Sequence, residues 1–309
     1  MSALVEARDL RKRLGGVLAV DGLSLQVEAG EIYALMGPDG AGKSTAIRLL
    51  CGAMRPDEGE VILGGVSLGR QPESARSLLG YFPQGFCLYD DLTVAENLRF
   101  FAEVRGLPGQ GRRERIEQAL RFVGLEAFAH YRAGALSGGM KQKLGLAVAV
   151  IHRPRILLLD EPTRGVDPLT RQAFWRLITS LLRERVAILV STPYMDEAAR
   201  CTRVGFMRAG RLLVEGSPQG LSHMLKGRVL EVFGGPLRSL ASLARQLPEV
   251  ESAQPFGDRL RLRIAEGAGE GVARHLKQMA KETEAHIESI TQAEPTLDDV
   301  FTQLLEQGS

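Results

Sequence analysis

"EIYALMGPDGAGKST", residues 31–45, runs from an apolar stretch into a glycine-rich turn that closes on Gly-Lys-Ser-Thr. Residues 37–45 match G-x-x-x-x-G-K-[ST]. The run before them reads as a strand and "GKSTAIRLLCG" (42–52) as a helix, the setting in which that motif cradles phosphate. Gly37, Gly40 and Gly42 let successive backbone N–H groups converge on phosphate oxygens. The helix presents its positive N-terminal end to the same charge. Pro38, Asp39 and Ala41 complete the loop. Lys43 is expected to reach the β- and γ-phosphates and Ser44 to ligate Mg²⁺, with Thr45 beside it.

"RILLLDEP" (155–162) supplies a second half. Uninterrupted apolar runs suit parallel strands buried on both faces, so an α/β core follows, with ligands at the carboxyl ends of its strands. Asp160 is then placed to hold the magnesium shell and Glu161 to polarise an attacking water. "GEVILGGVSL" (59–68) and "RLLVEGSP" (211–218) read as antiparallel pieces decorating that core. Beyond residue 220 the texture changes to strand, helix, two strands, helix, strand and a last helix. That order predicts a small ferredoxin-like α+β domain over 221–309, after an ATP-binding domain over 1–220. The second domain shows no acid/base cluster and no metal spacing, and His275 and His286 read as surface or packing residues.

Composition narrows the classes. At 309 residues the chain has room for about two domains. Its 39 basic and 37 acidic side chains leave a net +2, so no whole-protein field favours nucleic acid. Cys51, Cys87 and Cys201 stand far apart, which argues against a disulfide framework and against zinc. "MSALVEARDL" lacks the apolar core of a signal peptide, and no apolar run approaches the ~20 residues that cross a bilayer. The expectation is a cytoplasmic chain that reaches a membrane only through a partner.

"LSGGMKQKLGLAVAV" (136–150) opens a helix with serine and two glycines, a second anion-binding end with Ser137 as N-cap. One nucleotide does not need two cradles unless the second serves a neighbouring chain. Here the sequence resembles an ABC transporter ATP-binding subunit over residues 1–220. Walker A is 37–45, Walker B is 155–160, and the signature is Leu136, Ser137, Gly138, Gly139 and Met140. Gln84 in "YFPQGF" matches the family's Q-loop and Asp167 in "RGVDP" its D-loop. The fold this implies is a P-loop ABC ATPase core with antiparallel and helical subdomains. "YFPQGFCLYDDLTVAENLRFF", "STPYMDEAAR" and "PTLDDVF" more closely resemble ATPases of multidrug and antibiotic export systems. The resemblance implies ATP and Mg²⁺, with Gln84 serving the metal and the catalytic step. It also implies a sandwich dimer with a second ABC ATPase, contacted through Asp167, and a membrane permease on the inner face of the cell membrane.

Two positions depart from the family pattern. Its switch histidine aligns with Pro193, which offers neither a side-chain donor nor an N–H. None of His130, His152 or His223 stands near enough in the pattern to replace it. Losing one oriented transition-state donor typically costs about 10²–10³ in rate. Its adenine-stacking aromatic aligns with Leu14, which weakens base stacking by ~1–3 kcal/mol. Binding is expected to survive, with turnover slowed at this chain's own site. An alternative is a hydrolysis-impaired partner that lends its signature to a competent ATPase. A third reading, an ABC protein acting on ribosomes or DNA, lacks the second cassette or coiled-coil insertion usual there. In residues 85–106, Phe86 and Tyr89 read as surface for the permease, and Phe100 and Phe101 as core of the helical subdomain.

Overall fold

The computed structural model describes residues 3–85 and 87–306. Phe86 lies outside them. The chain divides into two compact units, Met1–Gly216 and Ser217–Ser309.

In the first unit the apolar runs form a sheet ordered Arg211–Gly216, Arg203–Arg208, Ile32–Met36, Ala187–Thr192, Ile156–Asp160, Leu79–Phe82. Its neighbours are parallel except at the edge, where Arg211–Gly216 runs antiparallel to Arg203–Arg208. Ile32–Met36, Ile156–Asp160 and Ala187–Thr192 are buried at every position, which is why their sequences run apolar without alternation. Register sets the site: Met36 pairs with Thr192 and Asp160 with Ser191. The glycine-rich turn, the Asp-Glu pair and the segment leading into Pro193 therefore leave the sheet together, at the carboxyl ends of its central strands.

A second, antiparallel sheet is ordered Val17–Glu28, Ala3–Leu14, Glu58–Leu63, Val66–Ser67. Leu10, Leu23 and Val27 from it share one core with Leu35, Ile47, Leu50 and Leu158. Helices Val94–Val104, Arg112–Val123 and Gly138–Val150 form the helical part around Leu98, Ala102, Leu120 and Leu144. Thr93 and Glu96 start the first of these with a reciprocal capping box.

The reading of Phe100 as core is corrected here. Val94, Asn97, Leu98 and Ala102 take the inward face of their helix; Phe100 is out of phase with it, while Phe101 stands in phase with Val94 and Asn97 and is half-buried. Phe100 is exposed and meets the exposed Tyr89 edge-on at 4.8 Å, with Phe101 5.3 Å beyond. Asn97 is wholly buried instead. It accepts from the Tyr89 N–H at 2.9 Å and donates to the Tyr89 and Thr93 carbonyls at 3.0 Å each, tying the loop after Gln84 to this helix.

The second unit has a four-stranded antiparallel sheet ordered Val250–Phe256, Arg259–Ile264, Val229–Gly235, His286–Gln292. Helices Leu237–Ala244 and Gly269–Lys281 supply Leu240 and Leu276 to a core with Leu260 and Leu262. This is a ferredoxin-like topology. On alternate positions Arg259, Arg261 and Arg263 pair with Glu231, Asp299 and Glu251. The unit begins at Ser217, whose hydroxyl accepts from the Gly220 N–H at 3.0 Å to cap helix Pro218–His223. A boundary at residue 220 would cut that helix. His275 and His286 are both exposed.

Candidate functional site

Strand Ile32–Met36 delivers the chain into the loop 37–42, and helix Lys43–Leu50 follows. Two glycines are obligatory there. A Cβ on Gly37 would stand 2.1 Å from the Met207 carbonyl oxygen, and one on Gly42 2.2 Å from that of Ala19. Gly42 also holds φ 102°, a left-handed conformation costly for any other residue. The loop is thus wedged between backbone atoms of two other segments, leaving its own backbone little room to move.

Lys43 is 4% exposed, and its ammonium donates to the carbonyls of Gly37 at 2.8 Å and Pro38 at 3.0 Å. Burial holds it below the usual lysine range, against the pull of Glu161, Asp39 and Asp160. Its partners are neutral carbonyls and one carboxylate 3.8 Å away, so an arriving polyanion would find a cation already placed and only partly compensated.

Asp160 ends strand Ile156–Asp160 with no exposure at all. Its Oδ1 accepts from Ser44 Oγ at 2.9 Å and from Ser191 Oγ at 2.7 Å. Its Oδ2 is buried without a hydrogen-bond partner. A buried carboxylate oxygen left over beside a serine hydroxyl is a donor set that suits a hard divalent cation such as Mg²⁺.

Glu161 follows in a left-handed conformation, φ 47°, with its N–H donating to Ser191 Oγ at 2.9 Å. That turn aims the carboxylate back toward the loop. Its Oε2 accepts from Gln84 Nε2 at 3.1 Å and Arg164 Nη1 at 2.8 Å, and its Oε1 lies 3.8 Å from Lys43 Nζ. The structure therefore joins Lys43, Ser44, Gln84, Asp160 and Glu161 into one network around the mouth of the glycine-rich loop.

The other expected residues stand apart. Ser137 caps helix Gly138–Val150, accepting from the Met140 N–H at 3.3 Å, and Ser137 and Gly138 are exposed. Leu136 anchors the segment from below at 8% exposure. A Cβ on Gly139 would stand 2.5 Å from Thr170 Cγ2, in the turn that Asp167 caps by accepting from the Thr170 N–H at 3.0 Å. Among the described residues, no hydrogen bond or ion pair links residues 136–140 to the loop network. Leu14 sits at the end of its strand, 39% exposed, beside the bare Gly15–Gly16 turn.

Several contributors carry no motif. Ser191 holds both Asp160 and Glu161; a hydroxyl at the end of an apolar run was its only signal. Glu197, wholly buried, accepts from Thr192 Oγ1 at 2.6 Å and from Thr163 Oγ1. It clasps the turn after Glu161 to the segment before Pro193. Arg164 pairs with Glu161 and stands 3.8 Å from Asp39 of the loop.

Comparison with known proteins gives a consistent picture. Residues 20–164 match the ABC transporter family. The chain is 38% identical over 308 residues to the "Probable multidrug ABC transporter ATP-binding protein YbhF" of Escherichia coli (strain K12). That match covers 98% of this chain and 52% of the relative, so the chain spans about half its length. It is 40% identical over 258 residues to the Nod factor export ATP-binding protein I of Rhizobium sp. (strain N33), covering 83% of this chain and 84% of that one. Among solved structures, a dimeric post-hydrolysis state of the ATP-binding cassette MJ0796, bound to ADP and Pi, superposes with a TM-score of 0.63 at 27% identity. It covers 69% of this chain and 98% of that one.

Proposed function

The chain belongs to the ABC transporter family as an ATP-binding protein, and from that premise we propose that it binds MgATP and drives export through a separate membrane permease. The observation that carries this reading is the junction of Ser44, Asp160, Glu161 and Gln84 beside a backbone cradle. In this reading residues 37–45 hold the phosphates through backbone N–H groups and Lys43. Ser44 and Asp160 hold Mg²⁺, joined by Gln84. The metal supplies Lewis-acid compensation for the phosphate charge when bound.

Glu161 then receives the proton of the attacking water, and Gln84 keeps its carboxylate in line. Leu136–Met140 serve the nucleotide of a second ABC ATPase, with Asp167 at the contact. Support comes from the exposure of Ser137 and Gly138 and from their separation from the loop network. Of the relatives named above, one is named as an export ATP-binding protein and one as a probable multidrug ABC transporter ATP-binding protein, and no described helix is long and apolar enough to cross a membrane. Both support attachment to the inner face of the membrane through the permease, which Tyr89 and Phe100 are positioned to meet as an exposed aromatic pair.

Pro193 favours a second reading, in which this chain's own turnover is impaired and its signature completes a partner's site. ATPase activity of the purified chain, alone and mixed with its partner, separates the two. Lys43→Ala abolishes ATP binding in calorimetry, and Glu161→Gln removes residual turnover by the chain alone. Ser137→Ala depresses the partner's turnover in the mixture. Tight ATP binding by Lys43→Ala sinks the cradle assignment. Full turnover by Glu161→Gln sinks the role given to that carboxylate.

A further inference from the structure

Arg164 has no place in the motifs above, yet it makes the shortest contact to Glu161. It lies three residues on, in a turn closed by its own N–H donating to the Glu161 carbonyl at 3.2 Å. The turn folds the guanidinium back over the carboxylate, with Nη1 2.8 Å from Oε2. Nη2 stands 3.8 Å from Asp39 Oδ2, beyond hydrogen-bond reach, and Asp39 belongs to the glycine-rich loop. Arg164 thus spans from Glu161 to the loop on the open side, half-exposed, while Lys43 closes the buried side at 4% exposure. The carboxylate sits between a fixed buried cation and a reachable one.

Stability does not ask for this arrangement. Glu161 already has Gln84 and Lys43, and a half-exposed ion pair contributes little to folding. Function has a use for it. The planar guanidinium carries five donors in a rigid fork, so one edge can keep the carboxylate while another takes a phosphate oxygen. Pro193, which follows the neighbouring strand Ala187–Thr192, offers no donor at all.

Resting on the MgATP reading above, we infer that Arg164 reads the terminal phosphate of the bound nucleotide and holds Glu161 on the attack line, supplying the oriented donor that position 193 does not. In the step it serves, the water oxygen bonds to the terminal phosphorus and the water proton passes to Glu161. The bond to the bridging oxygen breaks, releasing ADP and inorganic phosphate. Arg164 exchanges no proton; it stabilises charge on the equatorial oxygens as the bond to the leaving group stretches.

The test uses the full chain with Mg²⁺, comparing ADP with a non-hydrolysable ATP analogue by calorimetry, alongside steady-state ATPase rates. Arg164→Ala is expected to leave ADP affinity within about twofold and to weaken the analogue roughly tenfold, or ~1.4 kcal/mol. Its kcat falls about 10- to 100-fold, below the usual cost of one lost donor because the side chain is half-exposed. Arg164→Lys keeps the charge without the fork, and restores analogue affinity more than it restores kcat. An unchanged ratio of analogue to ADP affinity in Arg164→Ala overturns the phosphate contact. A rise in kcat overturns it too, by showing that the arginine blocks Glu161. Failure of the parent to bind either nucleotide removes the MgATP reading itself, and the two failures are distinguishable because the ratio is measured only on a parent that binds.

Discussion

Replacing Glu197 by alanine tests whether the site is held by its clasp. Its carboxylate accepts the hydroxyls of Thr192 and Thr163, and Arg171 Nε approaches Oε1 at 3.7 Å. Two hydrogen bonds to a buried charge are each worth roughly 1.5–3 kcal/mol. Relief of the carboxylate's desolvation offsets part of that sum, leaving about 3–4 kcal/mol, within the range for breaking a buried charged pair. Arg171 adds little, since it is 23% exposed and also stacks over Tyr194 at 4.3 Å.

For a unit of this size each kcal/mol moves the melting point by about 2–4 °C, so Glu197→Ala shifts it down roughly 6–16 °C. Glu197→Gln keeps the shape, with one oxygen to accept and an amide to donate, and costs about 1–2 kcal/mol. Trp175, the single tryptophan, is 3% exposed and lies in the first unit, so its fluorescence in urea reads that unit alone. Because the clasp fixes both the turn after Glu161 and the segment before Pro193, kcat falls about tenfold while ATP affinity holds. A loss below about 1 kcal/mol for the alanine variant, or an equal loss for the glutamine variant, refutes the clasp.

Pro193→His is expected to raise turnover by up to about 10²-fold, the lower end for one restored donor, and steady-state ATPase rates check it; an unchanged rate means position 193 is no brake. A chain ending at Gly216 should still bind ATP in calorimetry, because every residue of the loop network lies in the first unit. Loss of binding by that soluble, folded fragment counts against the division of roles. In the second unit, burial raises the Asp299 carboxyl, but its bonds to Arg261 and to the Thr296 N–H and hydroxyl outweigh this and leave it below the usual range. That stability is present above the unfolded aspartate value of about 4 and is lost as pH falls through the lower folded value. Asp299→Asn should therefore start about 1–3 kcal/mol less stable at neutral pH and show a flatter acid limb in circular dichroism.

What could be read from sequence was what a short window encodes. Residues 37–42 lie between a strand and a helix in the chain and in space, so their pattern predicts their geometry. The ferredoxin-like order of the second unit was legible for the same reason: each element carries its own period. Phe100 misleads because it is apolar yet out of phase with Val94 and Leu98, while Asn97, a polar residue, takes a buried position on the inward face. Glu197 was illegible because its partner Thr163 is 34 residues away and acquires meaning only once strands pair. Arg164 was close enough in sequence to notice. Its role depends on the left-handed φ of Glu161, which no residue pattern announces.

In the MgATP reading, binding and turnover rest on separable parts of this site. The cradle is made of backbone, and its two tightest glycines press on the carbonyls of Ala19 and Met207, which belong to other strands. Any side chain there collides with main chain, so the binding half tolerates little change without loss of the fold around it. In that reading the groups that would act on the bound nucleotide are side chains on turns, Glu161 and Arg164, with Pro193 on a third turn. The turn positions 164 and 193 are partly open to solvent. Substitution at them alters charge and donors while leaving the strands and the Lys43 environment in place. In the MgATP reading, a chain of this build holds nucleotide without a donor at position 193. The inference above gives the missing contact to a cation already bonded to Glu161, and Arg164 at 2.8 Å is in place for it.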